Sequence, residues 1–261
     1  MKETLTKKVD AAELEEKVKK MYRDVALNPK DEYHFEMGRG LAERLGYEKS
    51  DLDRIPVAAI ESFAGVGYYF DLADLKKGEH VLDLGSGSGM DVFAAALKVG
   101  NTGYITGVDM TDEQLEKSEQ LRKENNFKNI LFRKSYIETL PFADASFDVV
   151  ISNGVINLSP DKEKVFAEIA RVLKPGGKMA IADIVTEKQL PENVVCDSTL
   201  WASCIGGASQ QDDYRKAIEH AGMEILNMKT NKTYGFISKS AKGASKDYGV
   251  KSVSLLAKKN K

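Results

Sequence analysis

The stretch that decides the fold is Val81-Leu82-Asp83-Leu84-Gly85-Ser86-Gly87-Ser88-Gly89. Its first four residues are apolar apart from Asp83, which is typical of a short buried strand. Three alternate glycines follow, and an apolar helical pattern comes directly after them. A strand, a glycine turn and a helix in this order predict a backbone that approaches a ligand closely. The amides at the start of such a helix suit a carboxylate or a phosphate.

The alternation of strands and helices continues beyond this stretch. Further strands are predicted at 104–108, 130–132, 147–152 and 178–182, with helices at 89–99, 111–125 and 159–173. This rhythm indicates an α/β fold with a parallel sheet and right-handed crossovers. The last two strands, 223–228 and 251–257, have no predicted helix between them. We expect them to form an antiparallel hairpin at one sheet edge.

The pattern of predicted helices and strands divides the chain into four parts. Residues 1–75 are expected to form a helical cap, which begins with an amphipathic helix over 9–26. Residues 76–186 form the cofactor-binding core. Residues 187–215 interrupt the rhythm and are interpreted as a substrate-side insertion, and 216–261 supply the strands that complete the sheet. The cap and the insertion are expected to flank the carboxyl ends of the strands, where ligands bind in open α/β sheets.

Composition excludes several functional classes. Lys and Arg number 38 against 40 Asp and Glu, and the formal net charge of −2 argues against a dedicated nucleic-acid binder. The 261 residues contain no apolar run long enough to span a membrane. The first residues lack the apolar core of a signal peptide, and two cysteines do not make a disulfide framework. These features favour a cytoplasmic protein.

A carboxylate accompanies the glycine turn and narrows the choice of ligand. Asp109 ends the second predicted strand, 20 residues beyond Gly89, where it can accept hydrogen bonds from both hydroxyls of a ribose. A dinucleotide fingerprint needs glycine where Met90 stands, and the chain has no Gly-Lys-Ser/Thr run of a P-loop. The turn with Asp83 beside it suits a cofactor that carries a free amino acid, because the ammonium can meet Asp83 or a carbonyl. S-adenosylmethionine is such a cofactor.

Four motifs resemble those of class I S-adenosylmethionine-dependent methyltransferases. They lie at 81–89, 107–110, 140–150 and 171–177. The resemblance implies a Rossmann-like sheet of seven mostly parallel strands, the last antiparallel. It also implies that Ile137 packs on the adenine, that Glu138 or its backbone meets the exocyclic amine, and that Asn153 faces the reacting methyl. The cofactor-binding residues implied are Asp83, Gly85, Ser86, Gly87, Gly89, Asp109, Met110, Ile137, Glu138 and Asn153.

A narrower resemblance is to the arsenite methyltransferases. It rests on the segments 107–111, 151–162 and 200–208. Members of that family bind trivalent arsenic through three cysteine thiolates, which are soft ligands for a soft centre. In this chain the three positions fall at Val66, Gly154 and Cys204, so two of the three thiols are missing. Cys196 is eight residues from Cys204, which on a continuous helix is too far for shared coordination.

Three functions stay open at this point. The first is a methyltransferase of the arsenite branch with an altered, small organic acceptor. Its substrate-side residues would be Tyr68, Tyr69, Gly154 and Cys204, although the two tyrosines are as readily explained as core residues under the cap. The second is a genuine arsenite methyltransferase that uses Cys204 with Cys196. The third is an S-adenosylmethionine-binding module without catalysis. No catalytic base and no metal ligand is predicted, and Asp91 is expected either to orient a substrate or to cap the first core helix.

Overall fold

The computed structural model describes residues 9–197, 200–201 and 205–261. The strands are β1 (His80–Leu84), β2 (Tyr104–Asp109), β3 (Ile130–Lys134), β4 (Phe147–Asn153), β5 (Leu173–Thr186), β6 (Ser209–Gln210), β7 (Met223–Thr230) and β8 (Lys251–Lys259). The helices that follow β1 are α6 (Met90–Val99), α7 (Asp112–Glu124), α8 (Lys162–Val172), α9 (Glu192–Val195), α10 (Gln211–His220) and α11 (Lys239–Tyr248). The helices of the cap are α1 (Ala11–Leu27), α2 (Gly38–Leu45), α3 (Lys49–Leu52), α4 (Val57–Glu61) and α5 (Phe70–Ala73).

One sheet organises the chain, in the order β3-β2-β1-β4-β5-β8-β7. The strands from β3 to β5 pair in parallel, whereas β8 runs antiparallel to both β5 and β7. The expected mostly parallel sheet of seven strands is confirmed. The two residues of β6 also pair with the end of β5 and add a short eighth strand that the sequence pattern did not indicate.

The sheet is buried on both faces, which explains its continuous apolar strands. Successive residues of β1 belong to different halves of the core. Val81 packs with α6, α7 and the cap, while Leu82 packs with α8 and α10. The carboxyl ends of β1 to β4 are therefore held rigidly at one edge, where the functional residues of an open α/β sheet lie.

The absence of a helix between the last two strands was a wrong expectation. Helix α11 occupies residues between β7 and β8, and Ser238 caps it by accepting the backbone N–H of Ala241. The apolar pattern that would have predicted this helix is weak, because Ala241 is the one fully buried residue that α11 contains. The antiparallel pairing of β7 with β8 is nevertheless as predicted.

One helix start differs from the prediction. Helix α8, predicted over 159–173, begins at Lys162, because Asp161 accepts the N–H of Lys164 and so caps the helix there. Thr111 precedes α7 as predicted, but its side chain makes no capping hydrogen bond. The Gln114 side chain is engaged elsewhere, since it accepts from Ser88 Oγ and donates to the Tyr22 carbonyl.

The structure describes no helix that is both long and apolar enough to cross a membrane.

A buried hydrogen bond fastens α10 to the sheet and can be tested for its contribution to stability. The Tyr214 hydroxyl donates to Asp183 Oδ2 at 2.7 Å, and both side chains are almost fully buried. We expect Tyr214→Phe to lower the free energy of unfolding by about 1–3 kcal/mol, because the buried carboxylate loses a donor. Urea unfolding measures this change. The control is Tyr33→Phe, whose hydroxyl meets the Asn28 carbonyl near the surface, and an equal loss in both variants would contradict the prediction.

Candidate functional site

A cavity of about 310 Å³ lies between β1 and β4, at the point where the strand order of the sheet reverses. The ends of β1, β2, β3 and β4 supply its floor through residues 85–88, 109–111, 135–138 and 153–155. The opposite wall comes from the cap, through α1 and the residues that follow α4. This is the crevice in which open α/β folds bind their ligands.

The glycine turn is required by packing as well as by backbone conformation. Gly85 has a φ of +67°, a region that side chains rarely adopt. A Cβ at this position would also lie 2.4 Å from a methyl of Val155. The Ser86 N–H donates to the Val108 carbonyl at 2.9 Å, which ties the turn to β2. The turn therefore presents its backbone to the cavity in one fixed shape. Ser86 and Gly87 line the cavity with Gly85, whereas Gly89 lies outside its lining.

Asp109 binds this turn directly. Its Oδ2 accepts the Gly87 N–H and its Oδ1 accepts the Thr111 N–H, both at 2.9 Å. Desolvation raises the pKa of Asp109, and the Thr111 and Gly87 amides oppose that rise. Because each carboxylate oxygen has two lone pairs, both oxygens can still accept a ligand hydroxyl. The predicted ribose-binding carboxylate thus lines the cavity in a held orientation.

Asp83 is a buried carboxylate that no cation among the described residues balances. Its side chain is 2% exposed and lines the cavity. Within the described residues no group donates a hydrogen bond to its carboxylate and none forms an ion pair with it. Burial, and then the neighbouring Asp91 and Asp109, hold the pKa of Asp83 well above its usual range. A cation in the cavity would relieve this repulsion, so the site fits a positively charged ligand.

Asp91 is a third carboxylate in the cavity wall, and its hydrogen bonds were not predicted. It accepts the Tyr47 hydroxyl at 2.6 Å, the Tyr69 hydroxyl at 2.7 Å and Asn153 Nδ2 at 3.1 Å. Asp91 therefore does not cap α6. The N-cap position, just before Met90, is Gly89, and no side chain makes a capping hydrogen bond there. No sequence signal links Tyr47 to Asp91, because 44 residues separate them and neither belongs to a recognisable motif.

The predicted adenine-side residues meet along one edge of the cavity. Met110, Ile137 and Glu138 all line it, together with Ser135 and Tyr136. The Glu138 carboxylate accepts the Ser159 hydroxyl, which fixes one of its oxygens. The Tyr136 hydroxyl donates to Glu15 of α1 at 2.7 Å and accepts from Lys19 at 2.8 Å. Helix α1 is thus fastened across this edge, a contact between cap and core that the sequence did not indicate.

The predicted substrate-side residues do not gather in the cavity. Tyr68, Tyr69 and Gly154 lie outside its lining, although Tyr69 reaches Asp91, which lines it. Cys204 falls outside the described residues, and Cys196 lies just past the end of α9. The role of these residues toward an acceptor stays a prediction. The residues that do form the cap side of the cavity are Ala11, Leu14, Glu15, Val18, Tyr22, Ala59, Ser62, Phe63, Ala64 and Gly65.

Two positions that the resemblance assigns to arsenic-binding thiols lie against each other. A Cβ built on Gly154 would be 3.2 Å from a Val66 methyl, so the two positions are in contact. Val66 is 3% exposed, and Gly154 has a φ of +73°. The Val66 side chain therefore occupies the space beside Gly154.

The sequence signature described as a methyltransferase domain matches residues 75–222, more than half of the chain. The chain belongs to the methyltransferase domain family. The predicted resemblance is confirmed. The match covers the strands from β1 to β6 and helix α10, and it ends before β7. The cap lies outside it.

Several methyltransferases are similar to this chain, over different shares of their length. An arsenite methyltransferase of Halobacterium salinarum is 42% identical over 187 residues, 72% of this chain and 48% of the relative. The crystal structure of CrArsM, an arsenic (III) S-adenosylmethionine methyltransferase from Chlamydomonas reinhardtii, has a TM-score of 0.63 and 30% identity, and the match covers 86% of this chain and 74% of that one. A ubiquinone/menaquinone biosynthesis C-methyltransferase of Haemophilus ducreyi is 32% identical, covering 61% of this chain and 70% of the relative. The chain spans about half the length of the arsenite methyltransferases it matches.

The glycine turn gives a direct test of the cavity's shape. We expect Gly85→Ala to lower the free energy of unfolding by about 1–3 kcal/mol, because the added Cβ meets Val155 and the positive φ is strained. The matched control is Gly40→Ala in α2, where a Cβ meets nothing within 4 Å and the free energy should stay level or rise by about 0.5–1 kcal/mol. Thermal and urea unfolding of both variants measure these changes, and a Gly85→Ala protein as stable as Gly40→Ala would contradict the described turn.

Proposed function

We propose that this chain is an S-adenosylmethionine-dependent methyltransferase that acts on a small, uncharged and largely apolar organic acceptor. The observation that carries the proposal is the cavity at the carboxyl ends of β1 to β4, with Asp83 unbalanced beside a glycine turn held by Asp109. The relatives and CrArsM support the methyl-transfer part of the proposal, since each is a methyltransferase.

The residues of the site fit the proposed cofactor. Asp109 would accept both ribose hydroxyls, and the amides of the glycine turn would bind the amino-acid carboxylate. Asp83 would face the positively charged end of the cofactor, which would stabilise its carboxylate. Ile137 and Met110 would pack against the adenine. When bound, the cofactor supplies a methyl group on a positively charged sulfur, and the protein supplies alignment and exclusion of water.

The cap side of the cavity favours an apolar acceptor. Leu14, Val18, Ala59, Phe63 and Ala64 dominate this wall. Its polar groups are engaged within the protein. Ser62 Oγ, for instance, donates to the Val25 carbonyl and accepts from Lys117.

A second candidate is methylation of arsenite through Cys204 and Cys196. It is favoured by the 42% identity to the Halobacterium salinarum enzyme. Against it stands the contact of Val66 with Gly154, which places a branched apolar side chain and a bare backbone where the resemblance expects two soft ligands.

The finer organisation of the molecule belongs to the same proposal. We propose that the cap (1–75) and the insertion (187–215) choose the acceptor, and that 76–186 and 216–261 form the core. A small-molecule acceptor is favoured over a nucleic acid, because five carboxylates line the cavity and would repel phosphates. The cytoplasmic location stays a prediction from the sequence.

Calorimetry tests the cofactor. We expect S-adenosylmethionine to bind the unaltered chain, and Asp109→Ala to weaken binding by about 1–3 kcal/mol, because charged hydrogen bonds to the ribose are lost. Since Asp109 also accepts two backbone amides, the unfolding transition of the variant is measured alongside. The control is Asp144→Ala, a surface carboxylate paired with Arg171. Flat titration heats for the unaltered chain, or equal affinity in both variants, would overturn the proposed cofactor site.

Product release tests the acceptor. The chain is incubated with S-adenosylmethionine and arsenite, thiols, quinols, enols or amines, and S-adenosylhomocysteine is measured. We expect turnover with an uncharged organic acceptor and none with arsenite. Turnover of arsenite that disappears in Cys204→Ala would establish the second candidate, and cofactor binding without turnover of any acceptor would favour a module without catalysis.

A further inference from the structure

The Asp91 carboxylate is the meeting point of cap and core. It is 5% exposed, lies in the first turn of α6 and lines the cavity. Three side chains donate to it from three different segments. Tyr47 follows α2, Tyr69 precedes α5, and Asn153 ends β4. Two of the three donors thus belong to the cap, and the third belongs to the sheet.

The donors are themselves fixed, so the carboxylate has one orientation. Tyr69 is fully buried and Tyr47 is almost so. The Tyr47 ring packs edge-on against Phe63, which lines the cavity, at a centroid distance of 5.2 Å. Asn153 also accepts the Val66 N–H at 2.8 Å and donates to the Gly67 carbonyl at 3.1 Å. The segment that carries the cap wall is therefore anchored through the same groups that hold Asp91.

Among the described residues, no cation balances the charge of Asp91. The charged and titratable groups that face it are Asp83 of β1 and the hydroxyls of Tyr47, Tyr68 and Tyr69. Within the described part of the chain, no Lys or Arg forms an ion pair with Asp91 or Asp83. Burial raises the pKa of Asp91, and the Tyr47, Tyr69 and Asn153 hydrogen bonds oppose this rise. Two neighbouring carboxylates thus face the cavity, and three neutral donors favour the ionised form of one of them, Asp91, against the effect of its burial.

We infer that Tyr47 and Tyr69 are positioning residues, which hold the Asp91 carboxylate against the cavity so that the cap docks and a cationic cofactor binds cooperatively. Both tyrosine hydroxyls donate to this carboxylate. The ionised form has all of its lone-pair sites free to accept, whereas protonation takes one of these sites. A cation in the cavity stabilises that ionised form and with it the two hydrogen bonds from the cap. By reciprocity, a docked cap strengthens binding of the cation. The inference rests on the proposed function, since it takes S-adenosylmethionine as the source of the positive charge.

Paired ligands separate this role from a merely structural one. S-adenosylmethionine carries two positive groups, and 5′-methylthioadenosine has the same nucleoside and neither of them. Their affinities are measured by calorimetry for the unaltered chain, Tyr47→Phe and Tyr69→Phe. The matched control is Tyr214→Phe, which removes an equally buried hydroxyl from a carboxylate outside the cavity lining.

The expected result is specific to charge. In Tyr47→Phe and Tyr69→Phe, the affinity for S-adenosylmethionine should fall about tenfold, the effect of one lost hydrogen bond to a charged group. The affinity for 5′-methylthioadenosine should change less than about twofold. With one donor fewer the pKa of Asp91 rises further, so the loss of S-adenosylmethionine affinity on acidification should set in at a higher pH than in the unaltered chain. Tyr214→Phe should change neither ligand's affinity nor the pH profile.

A second variant keeps the test decisive if a tyrosine variant is too unstable to titrate. Asp91→Asn removes the charge and keeps the side-chain size, and it should reproduce the selective loss of S-adenosylmethionine. Where the double variant folds, adding Tyr47→Phe to Asp91→Asn should cause no further selective loss, because the tyrosine acts through the carboxylate.

Each outcome decides between the two proposals. If the unaltered chain binds S-adenosylmethionine, but the tyrosine variants lose both ligands equally or keep the affinities of Tyr214→Phe, the positioning role is wrong and the proposed cofactor stands. If the unaltered chain binds 5′-methylthioadenosine no more weakly than S-adenosylmethionine, no cation is recognised and the inference falls. If it binds neither compound, the proposed function falls as well.

Discussion

The constraint on which the rest of the site depends is a group of buried carboxylates at one edge of the sheet, which no cation in the described part of the chain balances. Asp83, Asp91 and Asp109 reach this edge from β1, α6 and β2, and their burial works against ionisation. Backbone amides hold Asp109, and phenols and an amide hold Asp91. Asp83 receives no such support within the described residues. The parallel sheet makes the arrangement possible, because it brings the ends of strands distant in sequence to one line.

The sequence predicts most of the central sheet and the glycine turn, because these features depend on short local sequence patterns. Buried parallel strands produce apolar runs, the turn at 85–89 needs glycine, and a carboxylate after β2 lies beside that turn wherever the two strands pair. These features also carry the resemblance to methyltransferases, so the core and the cofactor side could be predicted together. The predicted start of α8 was wrong, because the start of a helix depends on which side chain accepts its first free amides. Asp161 accepts the Lys164 N–H, so α8 begins at Lys162.

The cap side was beyond sequence reasoning for a different physical reason. Tyr47, Tyr69 and α1 act through contacts with residues far along the chain, and none of those contacts leaves a periodic or spaced signature. Tyr69 lies in an aromatic run and was considered as a pocket residue, whereas its hydroxyl is fully buried on Asp91. Helix α11 was missed because nearly all of its surface is polar, so that its cap at Ser238 is a stronger signal than its apolar face.

The packing of Val66 beside Gly154 has a consequence for the order in which changes can accumulate at this wall. A side chain at 154 must tolerate a left-handed backbone, at a cost of about 1–2 kcal/mol, and must share space with the Val66 methyls. Because a smaller residue at 66 would relieve that contact, the stability cost of a side chain at 154 depends on whether position 66 has already changed.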